Sequence, residues 1–110
     1  MNKITNLTDS AFQSMVLTGN QGQRIGFTLK YQPSQQLWYY NVAYLNFALN
    51  QSNLVVSPNI LHQFYNNLPF GIACISNDGY DPYYQNDFIT GRISLYLLNQ
   101  TDRDAITELL

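Results

Sequence analysis

The chain has 110 residues with a formal charge of −2, and only 11% of its residues are charged. One domain of this size can bury a modest core without disulfides or a metal. Its cations are scattered at Lys3, Arg24, Lys30, Arg92 and Arg103, so it lacks the concentrated positive face that nucleic-acid binding needs.

The opening MNKITNLTDSAF has no apolar run, so residues 1–10 read as a polar arm rather than a signal peptide. AFQSMVLT then reads as a first strand, and GNQGQ has the glycine and amide content of a hairpin turn. RIGFTLKYQ alternates cleanly. Ile25, Phe27, Leu29 and Tyr31 fall on one face, with Arg24, Thr28, Lys30 and Gln32 on the other. Period two with one polar face marks a half-buried strand.

PSQQ is the next turn, with Pro33 suited to an early turn position. LWYYNVAYL places Trp38, Tyr40, Val42 and Tyr44 on one face and Leu37, Tyr39, Ala43 and Leu45 on the other. Both faces are largely apolar, which predicts a strand covered on both sides. That points to a barrel or sandwich whose outer face meets a partner. NFAL reads as a brief strand, LVVS as another, and NILHQFY, after Pro58, as a single helical turn or irregular chain. GIACIS reads as a short central strand and GRISLYLL as the last, with Ile93, Leu95 and Leu97 inward. TDRDAITELL, with Thr101 as N-cap, predicts a short C-terminal helix or tail over residues 101–110.

The expected fold is all-β: one small barrel or sandwich of six to seven short antiparallel strands over residues 11–100. Its core is predicted around Phe27, Leu29, Trp38, Tyr40, Val42 and Leu95. No stretch approaches the length of a membrane helix, so no membrane insertion is expected. The polar residues are mostly Asn and Gln rather than Lys and Glu. A surface of amides and tyrosines suits protein–protein contact, because interface cores are depleted in charge and enriched in aromatics. Three glycosylation sequons, at Asn6, Asn50 and Asn99, read as chance in so Asn-rich a chain.

The stretch NDGYDPYYQNDF gathers Asp78, Asp81 and Asp87 with Tyr80, Tyr83 and Tyr84. A calcium loop wants acids at alternate positions. Here Asp78 is followed at once by Gly79, and Asp81 by Pro82, so the motif does not fit and no metal or cofactor is assigned. A looser calcium site at Asp78, Asp81 and Asp87 is the third reading, behind a strand connection and a glycan or peptide site. A glycosidase pair needs a cleft between two carboxylates, and nothing in the sequence fixes one. Tyrosines stacking on sugar rings, with Asp and Asn accepting hydroxyls, make a glycan or peptide site at residues 77–90 the alternative. The favoured reading is a long connection between strands. Asp78-Gly79 and Asp81-Pro82 are both turn formers, and the tyrosines anchor the loop. His62 and Cys74 have no catalytic context, and no enzyme activity is expected.

From Arg24 onward the order of features resembles the small baseplate plug proteins of contractile-tailed, cyanophage-type bacteriophages. The likeness is carried first by FTLKYQPSQQLWYYNV and NILHQFYNNLPFG. It continues through GIACIS leading to Asp78, then Asp81-Pro82, and Asp87-Phe88 just before the Gly-Arg that opens GRISLYLL. The first strand and the C-terminal tail have no clear counterpart. The resemblance implies a non-enzymatic part of the virion's tail baseplate, assembled in the host bacterial cytoplasm. Such a part is oligomeric within an assembly and contacts hub, spike, tube or other baseplate subunits. It also implies that Asp81-Pro82 shapes the turn, and that Asp87 bonds near Arg92 or to loop amides. Tyr80, Tyr83 and Tyr84 are then the expected interface.

Overall fold

A computed structural model describes residues 2–19 and 21–109; Asn20, in the first expected turn, lies outside the described residues. Among the described residues the chain forms seven strands, a short 3-10 turn at His62–Phe64 and one α-helix: β1 (Asn2–Lys3), β2 (Phe12–Thr18), β3 (Arg24–Gln32), β4 (Leu37–Tyr44), β5 (Phe47–Asn53), β6 (Gly71–Ser76), β7 (Ile93–Leu98) and α1 (Gln100–Leu109). They build two antiparallel sheets, one ordered β1-β7-β6 and the other β2-β3-β4-β5. Among the described residues no ladder closes the two sheets into a barrel.

The core lies between the sheets. From the four-stranded sheet come Ile25, Phe27, Leu29, Trp38, Tyr40 and Val42. Ile72, Cys74, Ile93 and Leu95 face them from the other sheet. The inward set of β3 is the alternate set read from its sequence, because a half-buried strand can turn only every second side chain to the core. Trp38 sits at the centre, fully buried, with Tyr31 and Phe88 rings at 5.1 and 4.9 Å. Burying a large side chain of this kind stabilises by roughly 2–3 kcal/mol.

Several elements differ from expectation for identifiable reasons. Within the stretch expected as a polar arm, Asn2–Lys3 pairs with Tyr96 and Leu97 of β7, and Ile4 is buried. NFAL is the start of a seven-residue strand, β5, whose later residues are polar. An edge strand tolerates polar side chains, and Gln51 (φ 54°) donates its amide to Asn41 Oδ1 at 2.6 Å where the register shifts. LVVS is not a strand. Its β-branched residues have the propensity, but here the chain crosses from one sheet to the other. Its amides are satisfied one by one: Leu54 on the Trp38 carbonyl (2.8 Å), Val56 on Asp81 (2.8 Å), and Ser57 on the Cys74 carbonyl (3.0 Å).

GIACIS is not central either; β7 is the middle strand, and β6 lies at the sheet's edge against the single Ser57–Cys74 bridge. The outer face of β4 is not covered: Leu37 and Tyr39 are half-buried, and Ala43 is exposed. α1 is capped earlier than read. Asn99 Oδ1 accepts from the Asp102 amide at 2.8 Å, and Asp102 Oδ2 accepts from the Asn99 amide at 3.2 Å. That reciprocal pair is a capping box, and it forestalls a cap at Thr101.

Candidate functional site

The connection from β6 to β7 holds every residue of the Asp-rich stretch. Its base is closed by the Asn77 amide donating to the Arg92 carbonyl (2.9 Å) and by Asn77 Nδ2 donating to the Gly91 carbonyl (2.9 Å). Asp78 then turns the chain by accepting, on Oδ1, from Ser76 Oγ (2.7 Å) and the Tyr80 amide (3.1 Å). Gly79 has φ +82°, a region that a side chain disfavours. Asp81 reaches out of the loop to the Val56 amide, which ties it to the crossover between the sheets. The next residue, Pro82, is buried.

Asp87 is the hub of the loop. It is 1% exposed, and its Oδ2 accepts from the amides of Tyr83 and Tyr84, each at 2.8 Å. Arg92 grips the same carboxylate with Nε on Oδ1 (2.8 Å) and Nη2 on Oδ2 (2.7 Å). The rest of the guanidinium's donors reach Asp78 Oδ1 (3.0 Å) and the carbonyls of Tyr80 (3.3 Å) and Asp81 (3.0 Å). The guanidinium carbon lies over the Tyr83 ring, 4.2 Å from the centroid. One cation thus gathers Asp78, Tyr80, Asp81, Tyr83 and Asp87.

The electrostatics follow from those bonds. Burial alone pushes the Asp87 carboxyl up, but the bonds from Arg92 and the two amides outweigh it and hold the group below the usual carboxylate range. Asp78 is also held low, first by the Ser76 hydroxyl and the Tyr80 amide. The bond to Asp87 keeps Arg92 protonated well above arginine's ordinary value. These groups are locked as a charge cluster, an arrangement that fixes a loop in one shape.

The loop is also fastened to the opposite sheet. Tyr31 donates its hydroxyl to the Tyr83 carbonyl (2.7 Å), and Trp38 Nε1 donates to the Tyr84 carbonyl (3.0 Å). Phe88 packs edge to face with Trp38. Tyr83 is half-buried. Tyr80 and Tyr84 point outward, 68% and 51% exposed. Phe27, Leu29, Tyr40, Val42 and Leu95 lie in the core apart from this loop. Among the described residues no group of three or more His, Cys, Asp and Glu is placed to hold a metal ion. No helix among them is long and apolar enough to cross a membrane.

Two further constellations are not apparent from the sequence. Asn59 is buried, and its Oδ1 accepts from the amides of Leu61 (3.0 Å) and Ile72 (3.2 Å), joining the crossover to β6. Arg103 of α1 is buried, stacks on Tyr65 (4.2 Å) and donates to its carbonyl (3.0 Å). Tyr65 also donates its hydroxyl to Asp104. The signal that could have pointed to the second is the i, i+3 spacing of Gln100 and Arg103 on one helical face, where the two side chains bond.

A protein-family model described as the cyanophage baseplate Pam3 plug gp18 matches residues 1–100. No curated protein matches the chain. The match takes in β1 and also β2, the expected first strand, for which the resemblance offered no clear counterpart, and continues through β7. It covers the whole of the Asp78–Asp87–Arg92 loop, and the chain belongs to the cyanophage baseplate plug family.

Proposed function

We propose that this protein is a non-enzymatic plug that closes the tube–hub–spike region of a contractile tail, acting through contacts with neighbouring tail subunits. The match to the baseplate plug family over residues 1–100 carries the reading. The loop geometry supports it. Arg92 and Asp87 hold residues 77–92 in one shape, and that shape presents Tyr80 and Tyr84 to solvent. Exposed tyrosines on a rigid loop supply amphipathic contact area at small entropic cost. Assembly takes place in the host bacterial cytoplasm, and the plug works as one of several subunits.

The test is co-expression of a tagged chain with the other tail proteins of its source, followed by mass spectrometry of what is retained. Hub, spike or tube subunits in fixed ratio support the reading. A stable monomer that retains none of them, and whose melting temperature rises with glycans, would replace it with a glycan-binding module at residues 77–90.

A further inference from the structure

The two sheets leave a slot between their edges. β1 ends one sheet and β2 ends the other. A cleft of about 190 Å³ lies between them, lined by Lys3, Thr5, Met15, Val16, Thr18 and Leu97 among others. The edge offered by β2 is open. The Tyr31 amide donates to the Ala11 carbonyl at 2.8 Å, so residues 11 and 31 form a hydrogen-bonded pair. Alternation along the ladder then turns the backbone groups of Phe12, Ser14, Val16 and Thr18 away from β3. Ser10 Oγ already donates to the Phe12 carbonyl (2.8 Å), which leaves Ser14, Val16 and Thr18.

Natural edges are usually blunted by a charge, a proline or a bulge. β2 has none of these over its seven residues, FQSMVLT, and its ladder with β3 runs without a shift. The opposite edge, β5, is irregular. On the outer face Phe12 and Val16 are 61% and 60% exposed. Cations mark both ends of that row: Lys30 stands beside Phe12, and Arg24 beside Thr18. Residues 10–77 contain no Asp or Glu. Neither cation meets a carboxylate among the described residues.

The geometry points to β2 as a docking edge for an extended segment of another tail protein, apolar in its middle and carrying carboxylates toward its ends, which adds as a strand beside β2. A second copy of this chain fits less well, because its own β2, FQSMVLT, carries no charge and sets no carboxylate of that strand opposite Lys30 or Arg24. Main-chain bonds to Ser14, Val16 and Thr18 supply affinity, and the flanking charges set which segment is accepted. The identity of the partner rests on the plug reading above; the docking edge itself does not.

Two measurements separate them. In the first, Val16→Pro and Val16→Lys are carried through the co-expression experiment beside the wild type. The Val16 amide points outward, so proline removes a docking donor without breaking a bond to β3; lysine leaves the backbone whole should proline disturb folding. Loss of a tail partner by the lysine variant, with unfolding still cooperative, is the expected result. In the second, hydrogen exchange of the purified chain is followed with the synthetic peptide Glu-Thr-Val-Thr-Val-Thr-Val-Glu and with its lysine-ended analogue. Slower exchange at residues 14, 16 and 18 with the glutamate peptide alone is expected. If the wild type retains tail proteins and Val16→Lys retains them equally, the docking edge is overturned and the plug reading stands. If no tail protein is retained but the glutamate peptide protects β2, the plug reading falls and the docking edge stands. A β2-mediated dimer that Val16→Lys dissolves, with no protection by either peptide, overturns the docking edge in favour of a second copy.

Discussion

Arg92 reaches Asp87 with two nitrogens at once, Nε on Oδ1 at 2.8 Å and Nη2 on Oδ2 at 2.7 Å, while Asp87 is 1% exposed. A bidentate pair at this depth is costly to break from one side, because the survivor stays charged without its partner. Asp87→Ala is expected to lower stability by about 3 kcal/mol, read from urea unfolding at neutral pH. Tail-protein recovery should fall with it. An unchanged melting temperature and unchanged assembly would show that the loop does not depend on the pair.

Asp87 also makes stability depend on pH. Its folded value lies below its unfolded one, so the unfolded chain binds more protons in the acid range. The contribution is complete above the unfolded value, near pH ~3.9, and is lost as pH falls through the folded value. Urea midpoints measured from pH 7 downward should therefore drop below about pH 4. Asp87→Asn should be less stable at pH 7 and show a shallower acid slope. An equal slope in the two proteins would move the effect to other carboxylates.

Cys74 is buried in β6, and burial pushes its thiol up to about 12, with the charge of Asp81 adding to the effect. The thiolate is the reactive form. A thiol–disulfide exchange reagent at pH 8 should leave the native protein unlabelled and label it fully in urea. Rapid labelling of the native state would mean that β6 opens locally.

Trp38 is the one tryptophan, and it binds the loop through the Tyr84 carbonyl. Its emission should be blue-shifted and poorly quenched by acrylamide in the native protein. Trp38→Phe keeps an aromatic ring but strands that carbonyl, and should cost roughly 1–3 kcal/mol. If acrylamide quenches the native protein as well as the unfolded one, the tryptophan is not held under the loop.

Asn59→Ala removes the acceptor shared by the Leu61 and Ile72 amides, and Gly71 has no side chain to take its place. About 2 kcal/mol of destabilisation is expected, with faster hydrogen exchange at Leu61 and Ile72 as the local readout. Unchanged exchange there would assign those amides to other acceptors.

The strands that the sequence showed clearly are those whose pattern repeats over many residues. β3 and β7 alternate, and their inward residues are the core. Asp78-Gly79 reads directly as a turn because its bonds are local, Asp78 to Tyr80 two residues on. What stayed hidden depends on distant pairing. β1 has two residues and no periodicity, and it exists only because β7 lies beside it. The β-branched pair Val55-Val56 could not be told from a strand, since the crossover is set by Trp38, Asp81 and Cys74. Asn59 and Arg103 look like surface residues in the sequence, and their burial follows from elements far along the chain.

Pairing Asn2 with Leu97 makes the first strand wait for the last. At a synthesis rate of about 5–20 residues per second, β1 is without its neighbour for roughly 5 to 20 seconds. The four-stranded sheet is built from hairpins of consecutive strands and can form meanwhile. The three-stranded sheet cannot, because both β1 and β6 pair with β7. Folding of this plug therefore finishes after β7 has been made, with the slow kinetics that long-range pairing brings, and the finished surface is offered to the growing baseplate only once Ile93–Leu98 has joined both of its neighbours.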